Sequence, residues 1–125
     1  MKPDGHTSTL AESFKVALAG IVEASGARNF RIELCFAVAA IVLGICFRIS
    51  IAEWVAIVIC IGLVLGAECF NTAIEDTVDI ACPQEHPQAK RAKDSAAGAV
   101  LLCAIASFIV GVVIFAPRIL GALGL

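Results

Sequence analysis

The sequence predicts an all-α integral membrane protein, with an N-terminal amphipathic helix on the bilayer surface followed by three membrane-spanning helices. Composition gives the first reason: the 125 residues are 60% hydrophobic and only 16% charged, with a mean hydropathy of +0.96. A soluble domain of this size needs far more polar surface to cover its core. The second reason is that apolar runs of spanning length recur three times after about residue 30. One domain covering 1–125 suits this length. The net charge of −2 includes no basic patch that could neutralise phosphates, which excludes nucleic acid as a partner.

The opening MKPDGHTST is polar and offers Ser8 or Thr9 as a helix N-cap ahead of Glu12. From about residue 10 to 25, Leu10, Phe14, Ala17, Leu18 and Ile21 recur at helical spacing, with Glu12, Lys15 and Glu23 on the other side. No soluble segment is large enough to receive this apolar face, so the helix is expected to lie on the membrane. The first thirty residues carry Asp4, Glu12 and Glu23 without a continuous apolar stretch, so no signal peptide is expected.

The first span is expected over about 31–48, where fourteen uncharged residues run from Leu34 to Phe47 and Arg31 and Arg48 can snorkel to the interfaces. The second runs from about 51 to 73, with Glu53 and the interfacial aromatic Trp54 at one mouth and Glu68 nearer the other. The third covers about 95–116, within the twenty-three uncharged residues Ser95 to Pro117; Pro117 and the glycines at 121 and 124 are expected to end it. Pro83 and Pro87 forbid a continuous helix through the long polar connection between the second and third spans. Lys2, Lys15, Arg28, Arg31, Lys90, Arg91 and Lys93 fall on one side, against Arg48 and Arg118 on the other. That excess puts the N-terminus and the polar connection in the cytoplasm.

Of six cysteines, Cys35, Cys46, Cys60, Cys69 and Cys103 sit in apolar runs, with no CxxC or Cys/His metal spacing, and read as small buried hydrophobes. Only Cys82 lies in polar sequence.

The chemistry concentrates in GAECFNTAIEDTVD. At roughly 100° per residue, Glu68, Asn71, Glu75 and Asp79 fall within about 80° of one another, a single polar stripe closing an apolar helix. A carboxylate in a spanning helix costs on the order of 3 kcal/mol, so three on one stripe call for a cation. Mg²⁺ prefers hard oxygen ligands, usually one or two carboxylates plus substrate phosphates. The Lys-Arg-Ala-Lys-Asp segment nearby supplies positive charge, so the parts suit metal-assisted phosphoryl transfer. No GxxxxGK[ST] loop is present, so a nucleotide site must be built another way.

The string from Glu68 through Asn71, Thr72, Ala73, Ile74 and Glu75 to Asp79, followed by His86-Pro87 and Lys93-Asp94, resembles the prokaryotic diacylglycerol kinase family. The resemblance covers Phe14 to about Phe115. It implies a small homotrimeric membrane kinase with a surface helix and three spans in the bacterial cytoplasmic (inner) membrane. ATP and Mg²⁺ would be its co-substrate and cofactor. The Asn29-Phe30-Arg31-Ile32 and Ala96-Ala97-Gly98-Ala99-Val100 segments look like the Gram-positive branch, in which undecaprenol is often preferred over diacylglycerol. By resemblance, Glu68 is the general base for the lipid hydroxyl and Glu75 a ligand of the nucleotide-bound metal. Asn71, Asp79, Lys93 and Asp94 shape the site and hold nucleotide. Glu85 and His86 reach the adenosine part, and Lys15 faces the nucleotide from the surface helix.

One position departs from the family pattern. The family usually shows Glu-Arg-Asn-Phe-Arg where this chain has Ala27-Arg28-Asn29-Phe30-Arg31, and the missing carboxylate normally shares the metal with the Glu75 equivalent. Glu23 would substitute if the surface helix continued through Gly26. Plainer readings stand beside these roles: interhelical hydrogen bonding for Asn71 and Thr72, topology-fixing charge for Lys90 and Arg91, and close packing for the small residues at 96–99. At the level of function, the alternatives are a weakly active lipid-binding homologue and a small proton-coupled transporter. The latter typically has four spans and a glutamate in the first. Because three short spans cannot enclose a nucleotide and a lipid alone, an oligomer is expected.

Overall fold

A computed structural model describes residues 9–125. Four helices follow in order: α1 (Leu10–Ala24), α2 (Arg28–Cys46), α3 (Ile51–Ala81) and α4 (Pro87–Ala122). Among the described residues there is no strand. The last three helices are each long and apolar enough to cross a membrane. α3 and α4 pack along each other as the main hairpin, α2 joins α3 over a smaller area, and α1 meets α3.

Thr9 begins α1 through a capping box: the Glu12 N–H donates to Thr9 Oγ1 (3.3 Å) and the Thr9 N–H to Glu12 Oε2 (2.8 Å). Ser8, the other candidate cap, lies outside the described residues. A second capping box starts α3, where Ser50 and Glu53 bond reciprocally at 3.2 and 2.8 Å. Leu10, Phe14, Leu18 and Ile21 remain exposed on α1.

Three boundaries correct the sequence-based expectation. α3 continues to Ala81 rather than stopping near 73, because no breaker precedes the cap at Cys82. α4 begins at Pro87 rather than near 95, with Pro87 in the first turn and the His86 side chain capping it. The polar connection is therefore only residues 82–86. At about 1.5 Å per residue, α3 is roughly 46 Å and α4 roughly 54 Å long, well beyond the ~30 Å hydrocarbon core. Pro117 does not end α4, which continues to Ala122. It withholds one N–H from the ladder, a loss that membrane helices tolerate. The neighbouring Arg118 Nη1 donates to the Ile114 carbonyl (2.6 Å), and Nη2 reaches Glu53 Oε2 (2.9 Å), tying the end of α4 to the start of α3.

The core lies beside this tie. Ile49, Ile57, Ile114 and Phe115 are buried together, with Leu43, Phe47 and Trp54 packed against them. Just before it, α2 ends in a Schellman motif, with Arg48 N–H on the Ile45 carbonyl (3.3 Å) and Ile49 N–H on the Gly44 carbonyl (3.2 Å). Arg48 pays for this turn with φ = 50°, a left-handed conformation that costs a side-chain-bearing residue roughly 1 kcal/mol. Arg48→Gly is expected to raise stability by about that amount, measured as a shift in the unfolding midpoint in micelles.

The cysteines also depart from expectation. All six are free, and none is buried: Cys35 and Cys46 are exposed, the rest partly covered. Apolar sequence around a cysteine in a membrane helix is satisfied by lipid as well as by protein, so it does not predict burial.

Candidate functional site

The polar stripe falls on the face of α3 turned toward α2 and α4. Glu68 is 2% and Asn71 8% exposed, the two buried polar side chains among the described residues. Asn71 Nδ2 donates to Glu75 Oε1 at 3.2 Å, one helical turn along the stripe. Its Oδ1 is buried without a hydrogen-bond partner. Such an orphaned acceptor costs on the order of 1–3 kcal/mol until something donates to it or coordinates it.

Glu68, Asn71 and Glu75 line a cleft of about 270 Å³, together with Asn29 and Glu33 of α2 and Ala97 to Ala104 on α4. Sequence reasoning missed Asn29 and Glu33. Glu33 adjoins the uncharged run of the first span and was passed over as its boundary, yet Asn29 and Glu33 are an i, i+4 pair, which puts them on one helical face. Three carboxylates (Glu33, Glu68 and Glu75) thus line one cleft with no cation among its lining residues.

A second, apolar groove of about 610 Å³ runs between α2 and α4 over α3, from Glu33 past Phe36, Val64 and Phe108 to Phe115 and Ile119. Glu33 and Ala104 line both cavities, so the polar cleft and the apolar groove adjoin at these two residues.

The remaining candidates sit toward the polar connection. Lys93 Nζ pairs with Asp79 Oδ1 at 2.7 Å, joining α4 to α3, and Lys90 pairs with Asp94 one turn along α4. His86 accepts the Gln88 N–H on Nδ1 (3.1 Å), which leaves Nε2 as its outward donor. Glu85 is exposed in the connection, and Lys15 is exposed on α1; neither lines the cleft or the groove. The structure therefore brings Glu68, Asn71 and Glu75 together and pairs Asp79 with Lys93. It does not bring Lys15, Glu85, His86 or Asp94 into the cleft.

A match to the family profile for prokaryotic diacylglycerol kinase covers residues 15–115. The chain belongs to the prokaryotic diacylglycerol kinase family. Within it, the chain is 44% identical over 109 residues to the undecaprenol kinase of Bacillus subtilis (strain 168), covering 86% of this chain and 89% of that one. It is 41% identical over 113 residues to a diacylglycerol kinase of a Synechocystis species, covering 89% of this chain but 65% of that longer relative. No solved structure matches with comparable significance. Membership of this lipid kinase family, with three helices of spanning length among the described residues, sets the small-transporter alternative aside.

The position that departs from the family pattern has a definite place. Ala27 is the N-cap of α2 and makes no side-chain cap bond. Glu23 is not brought to the cleft in this chain. α1 stops at Ala24, Gly26 and Ala27 turn back onto the Glu23 and Ala24 carbonyls, and Glu23 is exposed away from both cavities. The continuous helix that would have aligned it does not form.

Among the described residues no group of three His, Cys, Asp or Glu side chains is close enough to hold a metal unaided. Asn71 Oδ1 and the Glu75 carboxylate are nonetheless of the hard-oxygen type that Mg²⁺ takes. Asn71 Oδ1 lacks a partner, and the remaining positions are left to phosphate and water.

Proposed function

We propose that the chain transfers the γ-phosphoryl group of ATP to a membrane lipid alcohol, and that the preferred acceptor is undecaprenol. The observation carrying this is that the acid-lined cleft adjoins the apolar groove at Glu33. A hydroxyl at Glu68 leaves its hydrocarbon tail to run along the groove within the bilayer. The B. subtilis relative's name supports a polyprenol, whereas the Synechocystis relative's name favours diacylglycerol as the second choice.

Glu68 takes the hydroxyl proton as the lipid oxygen forms its bond to the γ-phosphorus. The bond to the β-bridging oxygen then breaks, and ADP leaves. Glu75 and Asn71 would hold the nucleotide's Mg²⁺, which would neutralise charge on the transferred group. Lys93 faces the phosphates and Asp79 and Asp94 shape that end. Glu85 and His86 meet the adenosine, His86 with its Nε2 donor, while Lys15 approaches from the surface helix. The protein sits in the bacterial cytoplasmic membrane with its N-terminus inside. It works as a homotrimer, as the resemblance to the family implies.

Transfer of labelled phosphate from ATP to undecaprenol and to diacylglycerol, offered separately in mixed micelles with Mg²⁺, tests the proposal. Faster transfer to undecaprenol is expected. Transfer to neither lipid would reject the kinase reading and leave a lipid-binding homologue. Ala27→Glu is expected to lower the Mg²⁺ concentration needed for half-maximal transfer severalfold; an unchanged requirement would show that the missing carboxylate does not limit this chain.

A further inference from the structure

We infer that Asp79 is a positioning residue that acts through Lys93: it holds the Lys93 ammonium one helical turn away from Glu75 and so keeps the Glu75 carboxylate free for a divalent cation. The inference rests on the reading of Glu75 and Asn71 as the oxygens that meet the nucleotide's metal.

Three features on α3 and α4 carry it. Asp79 lies four residues after Glu75, on the same face of α3, with about 5–6 Å between their Cβ atoms. Lys93, in the second turn of α4, reaches across to Asp79 Oδ1 at 2.7 Å, and Glu75 is near enough to add to the attraction on its ammonium. Lys93 is therefore bonded to Asp79, with Glu75 one helical turn away along α3. Among the described residues, Glu75 has the Asn71 amide as its one side-chain partner, on Oε1.

Among the described residues Lys93 pairs with no other acidic group, and Lys90 occupies Asp94. Without Asp79, the flexible lysine stem would let the ammonium fall onto Glu75 and occupy the oxygen a cation needs. Asp79 itself is exposed and lines neither cavity, so it does not complete the cleft directly. The ion pair is also partly exposed at both ends, so as a plain clamp between helices it would contribute little to stability.

A double-mutant cycle on full-length protein in lipid–detergent micelles separates these roles. The readout is Mn²⁺ affinity by electron paramagnetic resonance, with and without ADP, with the thermal midpoint followed in parallel. Asp79→Asn is expected to weaken Mn²⁺ binding roughly three- to fivefold, with the midpoint almost unchanged. Without ADP, when Lys93 has no phosphate to meet, Lys93→Gln is expected to leave Mn²⁺ binding as tight as wild type or tighter, and adding Asp79→Asn to it should then have no further effect. Asp79→Glu, which keeps a carboxylate beside the lysine, should bind Mn²⁺ nearly as wild type. An equal loss from Asp79→Asn in the Lys93→Gln background would make Asp79 a direct ligand or a simple charge and overturn the inference. An unchanged affinity in Asp79→Asn would overturn it too. Absence of Mn²⁺ binding by wild type, even with ADP, would instead reject the metal reading on which it stands.

Discussion

Glu68→Gln is expected to lower kcat for lipid phosphorylation by about 10²–10⁴-fold, the range by which a positioned general base accelerates proton transfer. The substitution is nearly isosteric and leaves the cleft's shape intact, so the KM for ATP should stay close to wild type. Stability should not fall. Glu68 is 2% exposed, and a neutral amide is cheaper to bury than a charged carboxylate. Loss of activity with an unchanged or higher unfolding midpoint would therefore isolate the proton-accepting role. Were Glu68 a packing carboxyl held neutral by its surroundings, Gln would serve as well, and the variant would keep most of its activity. Rates measured under saturating lipid and ATP distinguish these outcomes, because a weakened base acts on kcat while a disturbed cleft raises KM.

The second large effect is expected far from the chemistry, at Gly44. A Cβ there would stand 2.7 and 2.9 Å from the Cη2 and Cζ2 atoms of the Trp54 indole and 3.1 Å from Ile49 Cδ1. The indole is rigid and packs against the core cluster at this end of the helices, so it cannot move aside as a flexible chain end would. Packing and close backbone approach, rather than expulsion of apolar groups from water, hold membrane helices together, which makes such a contact costly to disturb. Gly44→Ala should destabilise the fold by about 1–3 kcal/mol, read from unfolding in a denaturing detergent series. Trp54→Leu in the same chain should recover part of that loss, since it removes the atoms a methyl would strike. A Gly44→Ala midpoint equal to wild type would mean that α2 and α3 separate freely at this end. Activity should follow stability here, because Gly44 lines neither cavity.

Local information carried a large part of the architecture. The hydropathy of 31–48, 51–73 and 95–116 needs only the thickness of a bilayer to read as spans. Thr9 with Glu12 and His86 with Pro87 carry helix starts within a few residues of chain. Sequence also placed Glu68, Asn71, Glu75 and Asp79 on one stripe, since helical period alone sets which residues share a face. Hydropathy stops being informative where a helix leaves the membrane: the polar turns of α3 beyond 73 and of α4 before 95 are helical because nothing breaks them.

What tertiary structure alone decided are the meetings between helices. Glu33 and Asn29 face Glu68 and Asn71 only because of how α2 crosses α3, and that crossing depends on Gly44 admitting Trp54. The choice of Asp79 over Glu75 as partner for Lys93 depends on the register of α4 against α3, which the short connection at 82–86 sets. The break at Gly26 and Ala27 takes Glu23 out of line with the position of the missing carboxylate, an alignment that a continuous helix would have given. Periodicity fixes directions around one helix axis, whereas distances between side chains on different helices follow from packing, where each contact depends on many others.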